Sequence, residues 1–411
     1  MTKGSEPRHD DDAAIRRRVV VVTPGFSASD DDWCIPILRD FVDGLAQRND
    51  VSIVALRYPG DAGSYQVAGI NVVSLGGGAR KGLSKLVLMA RATAAVAREA
   101  KRFSADVIHA FWAHEPGAVA SVAGRLIGVP VVVTVMGGEL AALPEINYGG
   151  LLATGNRNLA RLSLGRADRV VAMCPAVGRA AAGFVAQQRL CRLDFGVRTD
   201  RFRPVGETSQ SSSDRVKFVA VGSLIPVKGH EVILRAFAQC NWKLPRTVLD
   251  LVGDGPLQDA LEQRVEELGV GKVVRFVGSV DHSKLAEVYH SADALVLGSW
   301  WEGGAPQVVD EALASGLPII GTAVGILPEL GAAARSVPVG DADALGREMG
   351  RFAASAETRA EMAAAAIAAT RPIAGCIADY ERLYDSIRRG VPFPKCGIST
   401  TEKASSRWRN E

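Results

Sequence analysis

Residues 295–325 read LVLGSWWEGGAPQVVDEALASGLPIIGTAVG. The order of residue types predicts a strand, a glycine-rich turn, a helix and a second strand. The apolar run 294–297 is typical of a buried parallel strand. Gly303 and Gly304 allow a sharp turn with no Cβ to block a ligand, and Pro306 suits the first turn of a helix. The stretch therefore predicts a strand–turn–helix unit of an α/β domain.

Such a turn directs unpaired backbone N–H groups and the positive end of the helix dipole at the space above the sheet, where a phosphate fits. Two carboxylates flank this space, Glu302 just before the helix and Glu311 inside it. A carboxylate accepts two hydrogen bonds at once, which suits the paired hydroxyls of a ribose or a hexose. The alternative is that Glu311 only complements the dipole and Glu302 is a solvated loop acid.

With the Ala-Leu-Ala-Ser-Gly-Leu-Pro that follows Glu311, the stretch resembles the signature of the retaining, GT-B-fold glycosyltransferases of family 4. The resemblance implies that Glu311 holds the donor ribose and that Glu302 lies near the transferred sugar and its phosphates, with Gly303 and Gly304 beside them. Members of the family usually have seven residues between the two acids, whereas this chain has eight. The extra residue lies between Gly303 and Pro306, so it affects the placement of Glu302 more than that of Glu311.

Composition is that of a globular protein: 47% of the 411 residues are hydrophobic and 23% are charged. This length favours two domains. A net charge of +3 and the lack of a dense basic run predict no nucleic-acid partner. No apolar run reaches the ~18 residues of a membrane span, and the polar start of the chain predicts no secretion signal. The six scattered cysteines are typical of a reducing, cytoplasmic location and argue against a zinc site.

Alternating strand and helix patterns predict doubly wound parallel sheets with helices on both faces. The resemblance implies that two such Rossmann-like domains face each other in a GT-B architecture, with a carboxy-terminal crossover helix. The serine-rich run at 207–214 is the predicted linker between the domains. The predicted organisation is a disordered segment 1–17, an acceptor-side domain 18–206, the linker 207–214, a nucleotide-sugar domain 215–372, a crossover helix 373–390 and a tail 391–411.

In the first domain, glycines and polar residues follow the predicted strands. Gly25 follows the first strand and is a candidate donor contact. The stretch around the third predicted strand carries His109 and His114, and the resemblance implies that one of them contacts the donor sugar; His114 is favoured and His109 is second. The alternative for either histidine is local hydrogen bonding. The loop after the next strand supplies the acceptor-side candidates Gly137, Gly138 and Glu139, where family members often have a histidine and a glycine.

In the second domain, the turn 222–229 follows a strand and carries a lysine next to a predicted helix start. The resemblance implies that this turn binds the donor diphosphate through an arginine and a lysine. Lys228 matches the lysine, while Ser223 stands at the usual position of the arginine. A hydroxyl and backbone amides would then replace one fixed charge. The resemblance also implies that the nucleobase lies near Val280.

Residues 79–102 form a basic amphipathic segment, with seven Lys and Arg residues against one acid. Such a helix can lie on anionic lipid at the inner membrane face, which suits a lipid-linked acceptor. The alternative is an ordinary surface helix whose apolar face packs on the sheet.

Together with these features, the resemblance implies a metal-independent, retaining glycosyltransferase without a cofactor, using a nucleoside-diphosphate sugar and a glycan, lipid-linked or small-molecule acceptor. Lys228, Ser223 and backbone amides of the 302–307 turn would stabilise the leaving diphosphate, with no Asp-x-Asp metal motif at a strand end. Two alternatives remain: a sugar-nucleotide epimerase of the same fold, and a binding protein that has lost transfer. A dinucleotide oxidoreductase is disfavoured because no Gly-x-Gly-x-x-Gly follows a strand.

Overall fold

The computed structural model describes residues 16–80, 82–204, 215–244, 246–304 and 306–393. Two β-sheets run through this part of the chain, each covered by helices, and together they form two facing α/β domains. The predicted linker 207–214 lies outside the described residues, as do residues 1–15 of the predicted amino-terminal segment and residues 394–411 of the predicted tail.

The first domain is built on a sheet with the strand order β3-β4-β2-β1-β5-β6-β7-β8, as far as the chain is described. Its strands are β1 (Arg18–Gly25), β2 (Asp50–Tyr58), β3 (Ala62–Val67), β4 (Ile70–Leu75), β5 (Val107–Phe111), β6 (Val131–Val135), β7 (Arg169–Ala172) and β8 (Leu190–Arg192). Its helices are α1 (Pro36–Arg48), α2 (Gly82–Arg102), α3 (Glu115–Ile127), α4 (Thr154–Arg166) and α5 (Pro175–Ala181).

One edge of this sheet departs from the predicted alternation of strands and helices. No helix separates β2, β3 and β4 in the described chain, and β3 pairs antiparallel with β4. The two-residue turn between them has positive φ at both positions, 48° at Ala68 and 77° at Gly69. This backbone is typical of a tight hairpin, because its twist matches that of the strands it joins. The parallel α/β pattern resumes after β4.

The second domain has a sheet whose described strands pair in parallel in the order β11-β10-β9-β12-β13-β14. Its strands are β9 (Val216–Val221), β10 (Thr247–Val252), β11 (Val274–Gly278), β12 (Ala294–Leu297), β13 (Ile319–Thr322) and β14 (Ala334–Val337). Its helices are α6 (His230–Lys243), α7 (Gln258–Glu267), α8 (Leu285–His290), α9 (Gln307–Ala314), α10 (Ala342–Ala354) and α11 (Ala356–Ala369). The order reverses between β9 and β12, which is the switch point where such sheets bind ligands.

The last described helix, α12 (Ile373–Arg388), returns to the first domain. Its Tyr380 and Leu383 are fully buried in the same apolar cluster as Phe41 of α1. Arg17, just before β1, donates to both carboxylate oxygens of Asp385 at 2.8 and 2.7 Å. The predicted GT-B architecture, with its crossover helix, is therefore confirmed.

Candidate active site

The switch point of the second sheet brings together a lysine and a carboxylate that are far apart in the sequence. Lys228 lies in the turn after β9, and Glu302 lies in the turn after β12. The Lys228 Nζ atom donates to Glu302 Oε1 at 2.7 Å, and Ser299 Oγ donates to the same oxygen at 2.7 Å. Glu302 is only 8% exposed. An ammonium group has three N–H donors, so Lys228 can bind Glu302 and still donate to an anion.

The second carboxylate, Glu311 in α9, is held from two sides. Its Oε1 is 2.6 Å from His282 Nε2, and its Oε2 accepts a hydrogen bond from the Tyr289 hydroxyl at 2.7 Å. Burial, and secondarily Glu311, raise the pKa of Tyr289 well above its ordinary value, so Tyr289 keeps its proton and donates. Glu311 is only 1% exposed. Its orientation is thus fixed before any ligand arrives.

The two domains meet backbone to backbone above this site. A Cβ built on Gly303 would lie 1.7 Å from the carbonyl oxygen of Met136, and a Cβ on Gly137 would lie 2.0 Å from the Cα of Gly303. Trp301 Nε1 also donates to the Gly137 carbonyl at 3.2 Å. Gly303 and Gly137 therefore allow the backbones of the two domains to come close to each other. The sequence had instead predicted that these glycines let the backbone come close to a ligand.

Glu139, predicted on the acceptor side, is buried inside its own loop. Its Oε1 accepts hydrogen bonds from the backbone N–H groups of Met136 at 2.8 Å and Ala113 at 3.2 Å. Burial raises the pKa of this carboxyl group above its ordinary value. Because the side chain is 4% exposed, we reassign Glu139 from acceptor contact to organiser of the loop that meets Gly303.

His109 is a core residue, in contrast to the prediction that it could contact the donor sugar. It is fully buried, and its ring nitrogens lie 2.7 Å from the Tyr384 hydroxyl and 2.7 Å from Thr134 Oγ1. Burial lowers the pKa of His109 to about 3, so the ring is neutral. Both nitrogens are occupied by side chains of the core, and we drop His109 from the candidate site.

His114 lies at the start of α3, beside the loop that contains Glu139. Its Nε2 is 3.1 Å from the carbonyl oxygen of Glu139, so Nε2 carries a proton and donates. Burial lowers the pKa of His114, which favours the neutral ring. A Cβ on Gly150 would lie 2.2 Å from the His114 ring, so this glycine makes room for it. His114 thus remains the histidine candidate of the first domain.

The other predicted contacts are spread around the cleft. Ser223 is exposed in the same turn as Lys228, and Val280 is half-buried after β11. A Cβ on Gly304 would lie 2.5 Å from Met173 of the first domain. A Cβ on Gly25 would lie 2.9 Å from Tyr58, so that glycine serves the packing of β1 against β2. A Cβ built on Gly138 would lie 2.5 Å from the Tyr148 hydroxyl oxygen.

Sequence reasoning missed four side chains of this site: Ser299, Tyr289, His282 and Trp33. Ser299 and Tyr289 carried no spacing signal, since a serine after a strand and a tyrosine in a helix are common. His282 offered a weak signal, being a histidine in the loop that follows a strand of the donor domain. Trp33 precedes α1 and lies against the second domain, with its ring 5.6 Å from that of His282.

Comparison with known families matches both domains. Residues 36–193 match the model of the glycosyl transferase 4-like domain, and residues 207–369 match that of glycosyl transferases group 1. Within the described residues, no group of three or more His, Cys, Asp and Glu side chains is arranged to hold a metal ion. None of the described helices combines the length and apolarity that a bilayer crossing requires.

Among the proteins to which this chain is similar, a GDP-mannose-dependent phosphatidylinositol monomannoside mannosyltransferase of Mycolicibacterium smegmatis is 29% identical over 46% of this chain and 53% of its own length. The putative teichuronic acid biosynthesis glycosyltransferase TuaC of Bacillus subtilis is 30% identical over 54% of each chain. The chain therefore spans about half the length of the relatives it matches.

Solved structures share the fold at lower identity. Sucrose-phosphate synthase from Thermosynechococcus elongatus superposes with a TM-score of 0.73 at 19% identity, covering 91% of this chain and all of that one. HepE from Anabaena, in complex with UDP and glucose, gives a TM-score of 0.70 at 18% identity over 90% of this chain and all of its own. At these identities the likeness establishes the architecture of both domains.

Proposed function

We propose that this chain, which belongs to the group 1 glycosyl transferases, transfers a sugar from a nucleoside-diphosphate sugar to an acceptor. The observation that carries the proposal is the Lys228–Glu302 pair at the switch point of the second sheet, with Glu311 on the adjoining helix. A cation beside two fixed carboxylates suits a ligand that combines a diphosphate with two sets of sugar hydroxyls.

In the proposed reaction, each group has one task. Lys228, with the Ser223 hydroxyl and backbone amides of the turn before α9, stabilises the charge that develops on the leaving diphosphate. Glu311 accepts hydrogen bonds from the hydroxyls of the donor ribose. Glu302 of the second domain and His114 of the first orient the transferred sugar. Positive charge comes from Lys228 in this scheme, so we propose that transfer does not require a metal ion.

We further propose that the sugar keeps its anomeric configuration, through attack of the acceptor on the face from which the diphosphate leaves. Support comes from the resemblance of the Glu302–Glu311 region to retaining enzymes and from the match to the glycosyl transferase 4-like domain. The acceptor would bind against the first domain, beside the loop that contains Gly137 and Gly138.

A thermal-shift panel tests the donor proposal. One relative is named for GDP-mannose, and HepE was solved with UDP and glucose, so the panel contains UDP, GDP, ADP and their sugar conjugates, each with and without EDTA. A ligand at about 100 times its dissociation constant adds about 2.7 kcal/mol of stability. We expect one nucleoside diphosphate to raise the melting temperature by several degrees, with or without EDTA. A panel without any shift would refute the donor proposal and favour a protein that has lost transfer.

The surface of α2 supports a peripheral membrane contact on the cytoplasmic face. Its buried side packs on the sheet through Leu88, Ala92 and Val96, as the alternative interpretation expected. Its amino-terminal turns, however, leave Leu83, Leu86 and Val87 exposed by 77, 63 and 50%. Exposed leucines beside basic residues are typical of helices that lie in the lipid interface. We therefore propose that this end of α2 inserts among anionic lipids and brings a lipid-linked acceptor to the cleft.

Vesicle co-sedimentation tests this contact. Wild-type protein is expected to bind vesicles that contain phosphatidylglycerol and to stay free of pure phosphatidylcholine vesicles. A Leu83→Asp, Leu86→Asp variant should lose binding and keep its nucleotide-induced thermal shift, because both leucines lie on a helix of the first domain, whereas Lys228 and Glu311 lie in the second. Replacement of Leu126, which is 71% exposed on α3, by aspartate is the matched control. Equal vesicle binding by both variants would contradict the proposal.

A further inference from the structure

The histidine that holds Glu311 has a defined protonation pattern. Arg201 Nη1 lies 3.1 Å from His282 Nδ1. A guanidinium group can only donate, so Nδ1 must accept and the ring proton must be on Nε2. Nε2 lies 2.6 Å from Glu311 Oε1 and therefore donates to it. His282 thus points one N–H at Glu311 Oε1, the shorter of two contacts of Nε2, the other being with the Gln307 side-chain amide at 3.1 Å.

The ring of His282 is itself held by residues outside the second sheet. Trp33, in the loop after β1 of the first domain, lies with its ring 5.6 Å from the His282 ring, and Phe202 lies 5.7 Å away. Arg201 packs over the Trp33 ring at 4.9 Å, where the cation and the aromatic face attract each other. The His282 side chain is only 10% exposed. The first domain therefore reaches the donor side of the cleft through Trp33.

We propose that His282 is a positioning residue for the donor ribose, and that Trp33 fixes it in place when the domains are together. A carboxylate offers about four lone-pair positions. His282 and Tyr289 occupy one on each oxygen of Glu311, which leaves one on each oxygen for the ribose 2′ and 3′ hydroxyls. Without His282 the carboxylate would lose the donor that holds Oε1 in that orientation. The inference rests on the proposed function, because it assumes a nucleotide at Glu311.

The test measures how strongly the protein distinguishes ribose from its dideoxy form. UDP, GDP and ADP, and the 2′,3′-dideoxy form of each, are titrated calorimetrically into wild type, His282→Phe and His282→Gln. The glutamine amide nitrogen can occupy the place of Nε2 and donate to Glu311, whereas phenylalanine fills the space without a donor. Melting temperatures without ligand establish that each variant is folded.

For wild type we expect the nucleotide that binds to lose roughly tenfold or more in affinity without its ribose hydroxyls. His282→Phe should weaken the ribonucleotide by roughly tenfold and leave the dideoxy form nearly unchanged, so that the discrimination disappears. His282→Gln should restore most of it. Trp33→Ala should also lower the ratio of ribonucleotide affinity to dideoxynucleotide affinity. This variant replaces His282→Phe in the test if His282→Phe does not fold.

Three results would overturn the inference. Unchanged discrimination in folded His282→Phe would show that Glu311 does not need this donor. A folded His282→Gln as weak as His282→Phe would point to a packing role for the ring instead of a donated hydrogen bond. Wild type that binds none of the nucleotides would refute the proposed function itself, and this inference with it; the first two results leave nucleotide binding by wild type intact.

Discussion

Replacing Gly303 by alanine tests whether the protein works in a closed arrangement, with its two domains in contact through Gly303, Met136 and Gly137. The new Cβ would lie 1.7 Å from the Met136 carbonyl oxygen and 2.9 Å from the Cα of Gly137. The backbone of Gly303 is outside the left-handed region, so alanine introduces no strain within its own turn. The substitution therefore acts on the contact between the domains and not on the folding of either one.

The size of the effect follows from that overlap. Ordinary van der Waals contact needs about 3.5 Å between heavy atoms, so the two loops must separate by roughly 1.5 Å or more. A misplacement of about 1 Å between reacting groups can cost about 100-fold in rate. We expect Gly303→Ala to lower sugar transfer or donor hydrolysis by about 100-fold. Nucleoside diphosphate binding should change by less than about threefold, since the Cβ faces the first domain.

The assay pairs donor turnover with calorimetric binding and small-angle scattering. Gly350→Ala is the matched control: it makes the same chemical change within α10, where a Cβ meets nothing within 4 Å. This control should keep wild-type turnover and radius of gyration. Wild-type turnover together with an unchanged radius of gyration in Gly303→Ala would refute the closed arrangement as the working state.

Three further substitutions test other parts of the account. Lys228→Met should weaken nucleoside diphosphate binding by about 1.5–3 kcal/mol in calorimetry, because a charge-assisted hydrogen bond is lost; an unchanged affinity would remove Lys228 from the site. The pKa of His109 falls from 6.5 to about 3 on folding. As the pH drops from 6.5 towards 3, the His109 ring is therefore protonated in the unfolded chain but stays neutral in the folded protein. The free energy of unfolding then falls by about 1.4 kcal/mol per pH unit. In urea titrations, His109→Gln should have a lower free energy of unfolding than wild type at pH 7, and that free energy should depend less on pH between 6.5 and 3. A pH dependence as steep as that of wild type would contradict the assignment of His109 as a neutral histidine of the core. Arg17→Ala should cost about 1–3 kcal/mol of unfolding free energy by leaving Asp385 without its bidentate partner, and a change below about 0.5 kcal/mol would show that this link to α12 is dispensable.

The second domain was the easier half to predict from the sequence. Its strands alternate with helices, and its turns carry glycines at the strand ends, so local patterns were enough to indicate β12, the turn after it and α9. Local patterns did not predict the direct contact between Lys228 and Glu302. These residues are 74 positions apart, and their contact exists only because β9 and β12 are neighbours in the sheet.

The first domain was harder to predict because burial decides the role of its polar residues. His109 follows two apolar residues of β5 and looks like a strand-end ligand, yet every residue of β5 is buried. Glu139 follows two glycines and looks accessible, yet backbone N–H groups enclose its carboxylate. Both partners of His109, and one of the two backbone donors to Glu139, come from distant segments, so local patterns do not reveal these contacts.

His282 is the converse case, a residue of the site that the sequence did not single out because its partners are distant in the chain. Its partner Glu311 is 29 residues later, and Trp33 lies near the beginning of the chain. The His282–Glu311 contact forms within the second domain, and the facing of the two domains adds Trp33 to it. A histidine in a loop is uninformative until that arrangement is known.

The central claim, sugar transfer from a nucleotide donor with retained configuration, is tested most directly by following slow donor hydrolysis with proton NMR. The measurement needs no acceptor, because water can take the sugar from the donor identified in the thermal-shift panel. The account predicts nucleoside diphosphate release in EDTA, with the free sugar appearing first in the anomeric configuration of the donor. Initial appearance of the opposite anomer would contradict retention, and the absence of any enzyme-dependent release would contradict transfer itself.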